Sequence, residues 1–212
     1  MTILAPAALP TFPARPVNGG PLPRARAKHG HWLYEPKYNG WRAEVHAPTR
    51  TMFNRHGAPL SIAVEFAEAL AALEILASRT GIEWFDCEGL ERRHAIGRGC
   101  LFVLDFIPHQ SPFTHHKAQP PASATFLQRS ALLDAHLPRL PVECRPDETR
   151  IYRPDLLPGT VATWEALQRV NREWGCEFYE GLVAKRGDSI YPMQLRSASL
   201  ETASWMKHRW AF

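Results

Sequence analysis

The stretch Glu35-Pro36-Lys37-Tyr38-Asn39-Gly40-Trp41-Arg42 decides how the rest of this chain is read. A lysine stands just ahead of a glycine turn, and the turn leads into an alternating segment at 41–47, WRAEVHA, that reads as a strand. The lysine is therefore held at the edge of an element. Taken alone it is an ordinary solvated turn lysine, and any meaning it has must come from the segments around it.

Moving outward, short apolar segments read as further strands at 51–55, 82–86, 101–107, 148–153 and 181–186. Ile62, Phe66, Leu70, Leu73 and Leu76 recur at helical spacing after Ser61, a residue suited to cap a helix. Leu167, Val170 and Trp174 do the same after Thr163, and a third helix is expected near 125–137. Strands and helices mix without a regular βαβ rhythm, which predicts an α+β domain of antiparallel sheets flanked by helices. The segment 108–123 reads as a surface loop. Pro6, Pro10, Pro13, Pro16, Pro21 and Pro23, with Gly19-Gly20, make residues 1–30 an extended segment and place the compact domain at 31–212.

With 45% hydrophobic residues and seven tryptophans among 212 residues, the chain can bury a sizeable core. Lysine and arginine outnumber aspartate and glutamate by 25 to 21, a mild lean toward polyanionic partners. Cys87, Cys100, Cys144 and Cys176 are widely spaced, without a CxxC pair, which argues against a metal knuckle and reads as reduced and intracellular. No apolar run approaches the ~20 residues that span a bilayer. Arg15, Arg24, Arg26 and Lys28, with no acidic residue before position 35, resemble a transit-peptide bias, but the repeated prolines disfavour an amphipathic targeting helix; the expectation is a cytoplasmic protein with no membrane partner.

Five further segments give Lys37 its context. Asn54-Arg55-His56-Gly57, Asp86-Cys87-Glu88, Phe102 to Phe106, Glu180-Gly181-Leu182-Val183-Ala184-Lys185 and Trp205-Met206-Lys207-His208-Arg209 follow it in order. With the segment at 37–42 they resemble motifs I, Ia, III, IIIa, IV and V of the covalent nucleotidyltransferases, the superfamily of DNA ligases, RNA ligases and capping enzymes. The wording is most similar to ATP-dependent DNA ligase adenylation domains. The resemblance implies an α+β, ATP-grasp-like nucleotidyltransferase domain that uses ATP with Mg2+ or Mn2+. Its activity would form a lysyl-AMP intermediate and seal 5′-phosphate and 3′-hydroxyl ends in nicked duplex DNA, or in RNA.

The same resemblance assigns roles. Lys37 is the nucleophile, and Lys185 and Lys207 stabilise the charge that builds on the α-phosphate. Glu180 holds the metal, and Glu88 supports it or contacts the ribose. Arg42 and Arg55 present forked donors to phosphate. Glu35 accepts from the adenine amino group, where guanine would present only an acceptor. For the base, strand alternation places Phe102, Leu104 and Phe106 on one face, with Phe102 as the stacking candidate. A lysine with an ordinary pKa of about 10.4 is almost wholly protonated at neutral pH, so the nucleophile needs neighbouring cations such as Arg42, Lys185, Lys207 or a metal.

Three departures qualify the resemblance. Asn39 stands where DNA ligases usually carry aspartate, Cys87 replaces the usual glycine, and Arg209 replaces a second lysine. The close of the sequence at Phe212, directly after the motif V-like segment, leads to the expectation of no oligonucleotide-binding (OB) fold domain, and of an accessory protein in its place. The alternatives carried forward are an RNA ligase, a noncatalytic nucleic-acid-binding module and, less favoured by Glu35, a capping guanylyltransferase.

Overall fold

The computed structural model describes residues 9–22, 30–90, 95–108, 122–193 and 201–210. The loop expected at 108–123 falls mostly outside these residues, as do Arg24, Arg26 and Lys28. The strands are β1 (Arg15–Asn18), β2 (Trp32–Tyr38), β3 (Trp41–His46), β4 (Thr51–Phe53), β5 (Trp84–Gly89), β6 (Leu101–Phe106), β7 (Arg139–Leu140), β8 (Ile151–Pro154), β9 (Tyr179–Arg186) and β10 (Glu201–Arg209). The helices are α1 (Ala67–Thr80), α2 (Phe126–Asp134) and α3 (Val161–Trp174). Among the described residues, no helix is long and apolar enough to cross a membrane.

Two sheets result, one ordered β1-β10-β9-β2 and the other β4-β3-β5-β6-β8-β7. Most neighbours are antiparallel, but β1 runs parallel to β10, and β8 runs parallel to both β6 and β7. The sheets are therefore mixed rather than antiparallel throughout. The parallel β6–β8 pair is possible because α2 lies between them in sequence and makes the crossover.

Period-two alternation gives the six-stranded sheet its two faces. Ala43, Val45, Phe85 and Cys87 point to one side, where Leu70, Leu73, Leu76 and Ala77 of α1 cover them. Arg42, Glu44, Asp86 and Glu88 stand at the alternate positions, on the side that faces the other sheet. A second core joins Trp164, Leu167 and Val170 of α3 to Tyr38, Phe102, Phe178, Tyr179 and Leu182. Burying each such side chain contributes roughly 1.5–3 kcal/mol.

Helix boundaries differ in detail from the sequence reading. Ser61 opens a 3-10 segment, Ser61–Phe66, without capping through its side chain, and the α-helix begins only at Ala67. Thr160, rather than Thr163, caps α3, its Oγ1 accepting from the Thr163 N–H at 3.2 Å. Thr125 and Gln128 form a reciprocal capping box on α2.

Of the Pro-rich segment, residues 9–22 belong to the folded unit. Leu9 and Ala14 pack with Phe53, Trp84, Ile107, Tyr191 and Trp205, and β1 hydrogen-bonds to β10. The folded unit thus reaches back before residue 31.

Gly181 sits at φ 144° where β9 passes β10, and a Cβ there would meet the His208 carbonyl oxygen at 1.9 Å. That contact is backbone and cannot swing away. Gly181→Ala should therefore lower stability by about 3 kcal/mol or more, while Gly175→Ala at the exposed C-terminus of α3, also at positive φ but in open space, should cost about 1 kcal/mol. Urea denaturation of both variants would check the difference; equal costs would show that β9 can yield.

Candidate active site

The two sheets enclose a cavity of about 640 Å³. Its lining draws Glu35 and Lys37 from β2, Trp41 and Arg42 from β3, Asp86 and Glu88 from β5, Leu104 from β6, Val183 and Lys185 from β9, and Lys207 and Arg209 from β10. The loop after β4 adds Asn54, Arg55 and His56, and the N-terminal segment adds Pro13, Arg15 and Pro16.

Lys37 is placed by the junction of the sheets. Strand β2 belongs to one sheet and β3 to the other, so the Asn39-Gly40 turn carries the chain across. Gly40 is packed so closely on β5 that a Cβ would lie 2.7 Å from the Gly89 carbonyl oxygen, and its N–H donates to Glu88 Oε1 at 3.1 Å. Asn39 Nδ2 donates to the Glu177 carbonyl at 3.1 Å, a bond that an ionised aspartate could not make.

A bulge brings Glu180 to Lys37. Lys37 pairs with Gly181 and Tyr38 with Tyr179, so Glu180 has no partner on β2. A bulge re-aims a side chain, and here Glu180 Oε2 lies 2.5 Å from Lys37 Nζ and 2.8 Å from Arg209 Nη2. Both are close ion pairs rather than aligned hydrogen bonds.

Deeper in the cavity, Lys185 is buried. Its Nζ lies 2.8 Å from Glu35 Oε2, donates to the Leu104 carbonyl at 2.9 Å, and sits 4.7 Å from the centre of the Phe126 ring. Glu35 is only 1% exposed; Arg153 Nη2 approaches its Oε1 at 3.7 Å, and that oxygen accepts no hydrogen bond. Its carboxylate is held between Lys185, on the cavity side, and the buried Arg153. Lys207 lies opposite Val183. Burial, then Arg209, depress its pKa, with Arg15 and Lys37 acting in the same direction against Glu201.

Arg42 departs from its expected role. Its Nε and Nη2 donate to Asp86 at 2.9 and 2.6 Å, and its Nη1 donates to the Ala14 carbonyl at 2.6 Å. Burial disfavours its charge, but Asp86 more than offsets this and holds the guanidinium ionised. The fork expected to bind phosphate instead clamps β5 and the N-terminal segment to β3. Arg55 is exposed at the cavity mouth, in a loop shaped by Asn54 Oδ1, which accepts from the N–H groups of His56 and Ala58.

Phe102 is also corrected. It has no exposed surface, stacks on Tyr38 with ring centres 3.8 Å apart, and does not line the cavity. A second bulge explains why alternation misleads here: Asp105 pairs with Asp86 and Val103 with Cys87, leaving Leu104 without a partner on β5. Leu104 lines the cavity, while Phe106 joins the α1 core on the opposite face.

Among the described residues, no group of three or more His, Cys, Asp or Glu side chains is spaced to hold a metal. Glu88 and Glu180 nevertheless provide two carboxylates beside Lys37. Burial raises Glu88 to about 7, against the opposing pull of Lys37 and Arg42, and Glu180 adds to the rise. Two oxygen donors repelling each other fit a hard divalent cation that completes its shell with further oxygen ligands.

Sequence reasoning did not assign roles to Arg15, Asp86, Leu104 or Val183. Asp86, Leu104 and Val183 lie within segments already singled out, but nothing in the sequence indicates that Arg15 reaches the cavity.

The chain matches no protein-family model and no curated protein. In structure it is similar to mycobacterial DNA ligase D complexed with ATP and MES, with a TM-score of 0.60 and 19% identity over 94% of this chain and 60% of that one. It is equally similar to the ligase domain of M. tuberculosis LigD, with a TM-score of 0.60 and 20% identity over 94% of this chain and 59% of that one. The Lig E DNA ligases match at a TM-score of 0.52 and 13% identity, over 95% of this chain and 69% of theirs. The chain thus spans about 60% of the length of the LigD structures. At these identities the likeness is one of fold, and the fold is that of the LigD ligase domain.

Two outcomes follow from this geometry. Because Glu88 titrates higher in the folded protein than in the unfolded chain, the unfolded chain loses this proton first as pH rises, and the charge opposes folding from the ordinary carboxylate range up through about 7 and beyond. Glu88→Gln should therefore be more stable than the parent at pH 8, by on the order of 1–3 kcal/mol, with the gap closing below about pH 4; a pH-independent gap in urea titrations would refute this. Phe102→Ala should lower stability by about 3–5 kcal/mol, whereas Leu104→Ala, checked by calorimetry with nucleotide, should mainly weaken ligand binding.

Proposed function

We propose that this chain is the adenylating domain of an ATP-dependent DNA ligase, with Lys37 as the residue that carries AMP. The observation that carries the proposal is the convergence of Lys37, Lys185, Lys207 and Glu88 on one cavity, with Glu180 paired to Lys37, in a fold shared with DNA ligase domains. In the first step the Lys37 Nζ lone pair attacks the α-phosphorus of ATP. A P–N bond forms, the bond from the α-phosphorus to the bridging oxygen breaks, and its electron pair leaves with pyrophosphate. The Nζ proton has an acceptor 2.5 Å away in Glu180 Oε2. AMP then passes to a 5′-phosphate, and a 3′-hydroxyl displaces it to seal the strand, as in DNA repair or replication.

Each residue has a physical task in this scheme. Lys207, and Lys185 held in place by Glu35 and the Leu104 carbonyl, are fixed cations for the charge that develops on the α-phosphate. The base lies between Leu104 and Val183, with the Glu35 carboxylate accepting from the adenine amino group. Glu88 and Glu180 would hold Mg2+ or Mn2+, which neutralises phosphate charge when bound. Arg55 and Trp41, exposed at the mouth, face the nucleic acid, nicked duplex DNA in the leading reading and RNA in the alternative.

One observation favours a second reading, a noncatalytic binding module: Lys37 and Lys185 are each already paired with a carboxylate. Incubation with α-phosphate-labelled ATP and magnesium separates the two. Label should survive denaturing electrophoresis on the parent chain, vanish in Lys37→Ala, and accumulate roughly a hundredfold or more slowly in Lys207→Ala. A parent chain that takes no label, once preadenylated protein is excluded, supports the binding module. Sealing assays on nicked DNA and RNA duplexes decide the substrate, and activity on RNA alone would overturn the DNA assignment.

A further inference from the structure

We propose that Arg153 is a positioning residue that takes over the Glu35 carboxylate as nucleotide enters, freeing the charge of Lys185 for the phosphates; this rests on the adenylation reading above. Strand β8 carries Arg153 behind the cavity, where its side chain has no exposed surface. Its Nη2 donates to Ser130 Oγ at 3.0 Å, but its Nε and Nη1 make no hydrogen bond. Buried guanidinium nitrogens without acceptors are costly, and folded proteins rarely keep them. A buried acceptor close by is itself unused: Glu35 Oε1 stands 3.7 Å from Arg153 Nη2 and accepts no hydrogen bond. Donor and acceptor thus face each other across a gap wider than an ordinary hydrogen bond of ~2.9 Å.

What holds the gap open is competition for one carboxylate. Lys185 Nζ lies 2.8 Å from Glu35 Oε2, so a single buried anion sits between two buried cations. Arg153 has little else to turn to. Asp134 Oδ1 is 3.9 Å from its Nε, and that side chain is 36% exposed and already bound by Arg139 at 2.9 Å. Asp105 is taken by both arms of Arg129. Burial disfavours the Arg153 charge, and Glu35 is the foremost carboxylate acting against that. Moving Glu35 onto Arg153 strips Lys185 of its counter-ion, a change that burial opposes unless another anion meets the amine. A phosphate is such an anion. Lys185, still anchored on the Leu104 carbonyl, then turns its charge to phosphate, Glu35 Oε1 closes on Arg153, and Oε2 is left to accept from the adenine amino group. Anion binding at Lys185 and the Arg153–Glu35 contact therefore favour each other. The Lys185–Glu35 pair is by this account exchangeable, and compatible with catalysis.

The test is a double-mutant cycle on the full chain, with Arg153→Met and Glu35→Gln made singly and together and inorganic tripolyphosphate titrated by calorimetry. Arg153→Met should weaken tripolyphosphate binding by about tenfold, because Glu35 then keeps Lys185 as its one remaining cation. In the Glu35→Gln background the same substitution should change binding by less than about twofold, since no carboxylate is left to take over. Arg153→Lys, which keeps the charge but not the fork, should recover part of the loss, and it carries the cycle if Arg153→Met does not fold. Self-labelling with α-phosphate-labelled ATP and GTP supplies a second readout: Arg153→Met should lower the preference for ATP by about fivefold or more, because Glu35 Oε2 is withheld from the adenine amine. A tripolyphosphate affinity that Arg153→Met leaves unchanged, or lowers equally in both backgrounds, overturns the proposal, and equal losses would mark Arg153 as structural support alone. If even the parent chain takes no AMP, the adenylation reading fails, and the tripolyphosphate cycle still decides what Arg153 does.

Discussion

Strand β2 ends in one sheet and β3 begins in the other, and the two residues between them fix how the sheets meet. Gly40 lies so close to the Gly89 carbonyl that no side chain would fit without moving the backbone, and its N–H is taken by Glu88. Because Lys37 sits one residue before the end of β2, the turn that joins the sheets also sets the reach of its amine. The distance from Lys37 to Glu88, and with it the width of the cavity, is a property of this crossing rather than of any single site residue.

The second organising constraint is charge. Glu44 and Asp86 stand directly opposite each other on β3 and β5, an arrangement that repulsion would normally forbid. Burial and then Asp86 push Glu44 well above the ordinary carboxylate range, so it is held neutral, while Arg42 and the Tyr191 hydroxyl satisfy Asp86. Nearby, Arg129 grips Asp105 through two bonds with both side chains fully buried. The wall behind the cavity is therefore a lattice of buried ion pairs. Breaking one member of such a pair costs more than the pair contributes, which makes this wall stiff and selects the surrounding side chains as a group.

Much of this was legible in the sequence, for identifiable reasons. The helices declare themselves by 3.6-residue periodicity, and the strands of the six-stranded sheet other than the two-residue β7 by their apolar segments, because each has one face on an apolar core. Strands β2 and β10 were not read as strands, since their alternate positions face a polar cavity and carry Glu35, Lys37, Lys207 and Arg209. Pro36 further disguises β2, and is tolerated because β2 is the edge of its sheet. Most of the residues named from the ordered segments line one cavity, but facing was lost wherever a bulge intervened. The bulge at Leu104 places Phe102 and Phe106 in different cores, and the one at Glu180 produces a contact with Lys37 that strict alternation would not give. The fork of Arg42 was assigned to phosphate because the carbonyl that claims it, Ala14, belongs to a segment with no apolar pattern.

The pairing of β1 and β2 with β9 and β10 has a consequence for the order of assembly. The six-stranded sheet is drawn from residues 41 to 154, whereas the four-stranded sheet joins residues 15–38 to residues 179–209. Contacts of such long sequence separation bear a greater loop-closure entropy and form late, after the more local β3–β5–β6 meander has collapsed around α1. The cavity exists only once that closure is made, since half of its walls belong to each sheet. A ligand seated there would bind the closed form alone, so occupancy of the cavity and completion of the fold draw on one equilibrium.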